Sequence, residues 1–104
     1  METLFHITEK DQWEKALESG IYIPCSFEDE RFIHLSTQNQ WQKTLAKFYK
    51  DKKNLLLLEI PAIKLQDKLK WEDLMGEGQL FPHYFDSIKV DLVSKVSRIP
   101  NERC

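Results

Sequence analysis

The most constraining feature of this chain is the run Asn54-Leu55-Leu56-Leu57-Leu58-Glu59-Ile60-Pro61. A strand with alternating polarity hides one face, whereas one that is apolar at consecutive positions must be covered on both. The run falls far short of the roughly 20 apolar residues a membrane span takes, and Pro61 closes it by removing a backbone donor. It predicts the middle strand of a sheet, with material packed on each side. The rest of the 104 residues has to supply that cover.

Two helices are predicted to do so. Thr8-Glu9-Lys10-Asp11 has the form of a capping box, a hydroxyl with a carboxylate three residues later, and predicts a helix over 9–19. Trp13, Ala16 and Leu17 form its apolar stripe and Gly20 is the expected terminator. Thr37 with Gln40 repeats the box and predicts a second helix over 38–49, with Trp41, Leu45, Phe48 and Tyr49 facing inward. Extended segments are expected at Thr3–Ile7, at Ile21–Ile23 up to Pro24, at Phe32–Leu35, around Leu65, Leu69 and Trp71, at Leu80–Phe81 and over Leu92–Ile99. Pro24 to Arg31 reads as a loop, and Gly76 and Gly78 mark a turn.

Composition removes several functional classes. Fifteen basic against seventeen acidic side chains leave a net charge of −2, which argues against a general nucleic-acid binder. At 41% hydrophobic and 12% aromatic the chain can build a core, and its length suits one domain. Lys43, Lys47, Lys50, Lys52 and Lys53 gather at the end of the second helix, where they complement its dipole as a solvated face. Two cysteines, Cys25 and Cys104, give neither a disulfide framework nor a metal spacing. The start Met1-Glu2-Thr3-Leu4-Phe5-His6 has neither a positive leader nor a long apolar run, so a cytoplasmic protein without membrane attachment is expected.

The chemistry rests on three histidines in apolar settings: Phe5-His6-Ile7, Ile33-His34-Leu35 and Phe81-Pro82-His83-Tyr84. A buried imidazole must find hydrogen-bond partners. His6 and His34 are each followed two residues later by a hydroxyl, Thr8 and Ser36, and a period of two puts each pair on one strand face at a strand-to-helix junction. Helix N-termini favour anions. The expectation is a pocket for a small phosphorylated or otherwise anionic ligand; the competing account has each imidazole satisfy a backbone carbonyl and each hydroxyl serve as a cap. No HxH or HExxH pair supplies two metal ligands from one element, and no metal is expected. Cys25-Ser26 with His34 as a nucleophile pair has no supporting spacing. Trp71-Glu72 sets a carboxylate beside a large aromatic, suited to acid–base work or to a ribose hydroxyl.

Taken in order, Phe5-His6-Ile7-Thr8 with Trp13, Gly20-Ile21-Tyr22-Ile23-Pro24 with Ser26, Phe32-Ile33-His34-Leu35-Ser36-Thr37 with Gln40, Leu57-Leu58-Glu59-Ile60, Trp71-Glu72 and Leu80-Phe81-Pro82-His83 resemble the successive blocks of domain-of-unknown-function family 952, a family of small bacterial proteins. The resemblance implies an α+β fold, a small split antiparallel sheet with two flanking helices, distantly similar to ADP-ribosyltransferases, which grip NAD in the cleft between the halves. It transfers a fold better than an activity. By that likeness His6 takes the first-strand place that contacts a ribose hydroxyl, and Tyr22, Ser26 or Ser36 takes the second-strand place beside the nicotinamide. Glu72 takes the late-strand place that steadies an oxocarbenium-like state, or His83 stands there and handles phosphate. The family commonly has Gly where Arg31 stands and a Tyr-Gly-Pro-like turn where Phe85-Asp86-Ser87 stands, both at loops bordering the pocket.

Two functions of different class are therefore expected. The first is an ADP-ribosyltransferase-like or phosphotransferase-like enzyme acting on NAD or on an ADP-ribosylated or phosphorylated substrate, with Glu72, His83 and His34 catalytic and His6, Thr8, Tyr22, Ser26 and Ser36 holding the ligand. The second is a nucleotide or small-anion binding module without turnover. The partner in both is a nucleotide-like small molecule.

Overall fold

The structure is a computed structural model that describes residues 2–24, 27–73, 76 and 78–99. The run read as a central strand is one: β4 (Leu55–Pro61) lies between β1 (Thr3–Glu9) and β8 (Lys95–Arg98), antiparallel to both. Its side chains divide by parity between two cores. Leu56, Leu58 and Ile60 join Leu4, Trp13, Ala16, Tyr22, Ile33 and Leu35 on one face. Leu55 and Leu57 join Phe5, Ile7 and Ile99 on the other, beneath Trp41, Leu45 and Tyr49. Burial on both faces is what the apolar run required.

One cover is α1 (Lys10–Ser19), which buries Trp13 and Ala16 and ends where Gly20, at φ 86, donates to the carbonyl of Ala16. Left-handed backbone at a helix end is where glycine costs least. The other is α3 (Trp41–Phe48). Its predicted capping box forms in half: Gln40 Oε1 accepts the Thr37 backbone N–H at 3.0 Å, and the helix proper starts later than expected because a turn occupies Thr37–Gln40. The first box does not form. β1 runs on to Glu9, the helix start has no side-chain cap, and the Thr8 hydroxyl turns inward instead. Phe48, read as inward, is exposed, since an eight-residue helix turns only one narrow stripe toward the sheet.

Around the central sheet stand two smaller antiparallel ones. β2 (Ile21–Tyr22) pairs with β7 (Ile88–Lys89), and β3 (Ile33–His34) pairs with β6 (Phe81–Tyr84), which pairs in turn with β5 (Leu69–Glu72). The expected α+β class with small antiparallel sheets is observed. Part of the segment read as a loop before Arg31 forms a short helix, α2 (Phe27–Glu30). Leu65 lies in a 3-10 turn rather than in β5, and another 3-10 turn over Val90–Leu92 delays the last strand. No helix among the described residues is long and apolar enough to cross a membrane.

Among the described residues the central sheet and the β3–β6–β5 sheet touch through a single backbone bridge, in which Phe5 and Ser36 exchange both hydrogen bonds at 2.7 and 2.8 Å. An antiparallel ladder continued from there would set Ile7 opposite His34. Instead the two sheets part, and the functional candidates gather at this fork.

Candidate functional site

His6 fills the fork. Parity places it with Leu4 and Thr8 on the face of β1 that looks toward Tyr22, and its ring is buried. The Nδ1 atom lies 2.6 Å from the backbone carbonyl oxygen of His34, Nε2 lies 2.7 Å from the Tyr22 hydroxyl, and that hydroxyl lies 2.8 Å from Thr8 Oγ1. Tyr22 is itself wedged between the His6 ring at 5.2 Å and the Trp13 ring at 6.1 Å. A side-chain bond thus takes the acceptor that a continued ladder would have used.

The proton inventory of this chain follows from its fixed end. A carbonyl only accepts, so Nδ1 of His6 carries a proton. Nε2 lies against the Tyr22 hydroxyl, which donates to Thr8 Oγ1. Desolvation in the core pushes His6 down to about 4, against an upward pull from the His34 carbonyl and a further lowering by the His34 ring. At neutral pH the His6 ring is uncharged.

The second group lies on the β3–β6–β5 sheet. His34 is directly opposite His83, and His83 is directly opposite Lys70, so the three side chains form one row across three strands on one face. By the same period Phe32, Phe85 and Glu72 share that face. The two imidazoles meet edge to face with centroids 5.0 Å apart. Each is held by its own carboxylate: His83 Nδ1 is 2.8 Å from Glu72 Oε1, and His34 Nε2 is 3.0 Å from Glu30 Oε1. A carboxylate acceptor fixes the tautomer, leaving Nε2 of neutral His83 and Nδ1 of neutral His34 as the basic nitrogens. Phe32 stacks on His83 at 4.3 Å and packs against Phe85 at 5.2 Å, and the Lys70 ammonium sits 5.3 Å from the Phe85 ring centre. The His34 ring is half exposed, whereas His83 is 3% exposed. Partial desolvation lowers His34, Glu30 raises it, and the neighbouring His83 lowers it again.

These two groups share His34, whose carbonyl faces His6 and whose ring faces His83. The sequence candidates fall accordingly. His6, Thr8 and Tyr22 come together, bonded to one another; His34, His83 and Glu72 come together on the sheet face. Ser36 does not join either group: it pairs with Phe5 on the opposite face and its hydroxyl lies 3.5 Å from that of Thr44. The shared crevice expected for the His34 and Ser36 side chains is thus not formed, because the strand pairing turns Ser36 toward α3. Ser26, Cys25 and Cys104 lie outside the described residues. The sequence reading missed Glu30, Phe32 and Lys70 as neighbours of the imidazoles; Glu30 stands four residues before His34, and Phe32 and Lys70 stand two before His34 and Glu72. Among the described residues no cluster of His, Cys, Asp and Glu is arranged to hold a metal ion.

Both bordering loops are held by local bonds. Arg31, where the resembled family commonly has Gly, adopts φ 66 and caps α2 by donating to the Phe27 carbonyl at 2.7 Å. At the second loop Asp86 accepts the Ser87 N–H at 2.7 Å and pairs with Lys68 at 2.7 Å. That lysine and the Ser87 N–H hold the Asp86 carboxyl below its ordinary range. An open depression of about 500 Å³ lined by Glu2, Thr3, Thr37, Gln38 and Asn39 contains none of the three histidines.

Comparison with known proteins agrees with this architecture. Protein CC0527 from Caulobacter crescentus, in its crystal structure, is 32% identical, with a TM-score of 0.86 over 92% of this chain and 84% of that one. The solution structure of the same protein is 31% identical, with a TM-score of 0.79 over 93% and 84%. No curated protein matches. The family model described as a protein of unknown function, DUF952, matches residues 7–96, and the chain belongs to that family.

Proposed function

We propose that the face carrying Phe32, His34, His83 and Lys70 binds a small phosphorylated, nucleotide-like molecule, and that the two imidazoles serve acid–base chemistry in a group transfer at that ligand. The observation that carries this reading is the pair of rings 5.0 Å apart, each oriented by a separate carboxylate. An imidazole fixed in one tautomer, with its free nitrogen basic, is the group that takes or gives a proton near neutral pH. Lys70 supplies an ammonium group beside the pair, and Phe32 and Phe85 supply aromatic surface for a base or ribose. Glu72 is hydrogen-bonded to His83, which favours the phosphate-handling reading over one in which Glu72 alone steadies an oxocarbenium ion. The resemblance to ADP-ribosyltransferases names NAD or an ADP-ribosylated molecule as the first ligands to try.

One observation favours a module without turnover: His83 is almost fully covered by Phe32 and its neighbours, so a substrate reaches it only after Phe32 moves. The two readings separate on Glu72→Gln. For an enzyme, the loss of the negative charge behind His83 lowers turnover sharply while ligand affinity is spared; for a binding module there is no turnover to lose. A thermal-shift screen with NAD, ADP-ribose, nucleotides and sugar phosphates finds the ligand, because whatever binds the folded state raises its melting point. Failure of every phosphorylated compound at millimolar concentration would overturn both.

A further inference from the structure

We infer that His6 is a positioning residue: pinned from behind by Tyr22 and Thr8, its imidazole fixes the His34 main chain where the two sheets part, and so sets the spacing of the His34 and His83 rings. The inference rests on reading the His34–His83 face as the ligand site.

Three observations carry it. β3 is a two-residue strand paired with β6 on one side, and its carbonyl at His34 faces the other way, toward β1. Past the Phe5–Ser36 bridge the two sheets share no further backbone pair, so the His6–His34 hydrogen bond is the next polar tie between them among the described residues. Finally, both ring nitrogens of His6 are engaged by protein atoms, and the ring is buried. A residue so placed has no nitrogen to offer a ligand, yet it holds the backbone of one that does. This differs from the direct ribose contact that the first-strand position implies by resemblance.

The test is made on the ligand-free protein. Tyr22→Phe and Thr8→Val cut the support of His6 while keeping side-chain bulk, Thr8→Ser restores the hydroxyl, and Leu58→Val is a destabilised control that leaves the chain of hydrogen bonds intact. Imidazole resonances of His34 and His83 are followed through a pH titration by NMR. Expected in Tyr22→Phe and Thr8→Val is a His34 titration that moves up toward its ordinary value, with a weaker contact between the two rings; Thr8→Ser and Leu58→Val behave as the parent. If Tyr22→Phe and Thr8→Val leave the His34 titration and the ring contact unchanged, whatever they do to the melting point, His6 is structural only and the inference is overturned. Since no ligand is used, absence of any phosphate ligand would sink the proposed function without deciding this result.

Discussion

Nδ1 of His6 donates to the main-chain carbonyl of His34 across 2.6 Å, joining residues that lie 28 positions apart on two sheets that otherwise diverge. The bond is made by a side chain because the backbones have already separated. That geometry makes His6 a structural hinge pin whose strength depends on its protonation state and on the hydroxyls behind it.

The first expectation concerns pH. A histidine depressed to about 4 in the folded state and near 6.5 when unfolded binds fewer protons folded than unfolded between those values. Its contribution is complete above pH 6.5 and lost as pH falls toward 4, amounting to roughly 3 kcal/mol at one pKa unit per about 1.4 kcal/mol. His34, also lowered, acts with the same sign. Urea melts of the parent and of His6→Gln across this window should show a steep loss of stability on acidification in the parent and a shallower one in the variant.

Tyr22→Phe removes the hydroxyl that joins His6 to Thr8. Leaving buried polar atoms without that partner costs about 1–3 kcal/mol. Guanidinium denaturation at pH 7.5 should show a lower midpoint with an unchanged slope; no change in midpoint would mean that water or another group replaces the hydroxyl freely.

Arg31→Gly should stabilise the protein. A side chain at φ 66 costs about 1 kcal/mol that glycine avoids, partly offset by the freedom glycine gains when unfolded. The measurement is the thermal midpoint, expected to rise by a few degrees; a fall would show that the Arg31 side chain contributes contacts outweighing the strain.

Leu58→Ala should be among the most damaging core changes. Leu58 is fully buried in the middle strand, and the cavity left behind costs about 2–5 kcal/mol. Circular dichroism melts decide whether the variant folds at 25 °C; a loss under 1 kcal/mol would mean the site collapses around the gap.

Much of this was legible in the residue order. The Leu55–Ile60 run announced a middle strand because apolarity at both parities has only one use in a short segment. His6 with Thr8 was legible from period two, and the apolar stripes placed Trp13 and Trp41 correctly. The Thr8 box misled because the same hydroxyl that suits a helix cap was claimed by Tyr22, a tertiary partner invisible to local pattern. The row His34–His83–Lys70 was not legible, since it depends on the register of three strands far apart in the chain. Arg31 shows the limit from the other side: a residue other than glycine gives no local sign of left-handed backbone, yet it adopts φ 66 where its N–H closes α2 onto the Phe27 carbonyl.

The most direct measurement is an NMR titration of the parent protein with ADP-ribose, NAD and pyrophosphate in parallel, following the ring resonances of His34 and His83, with Lys70→Ala and His34→Ala as comparisons. The proposed site requires saturable shifts of both rings with at least one of these compounds, weakened in both variants. Rings that stay unmoved by all three at millimolar concentration, or that move equally in the variants, would contradict it.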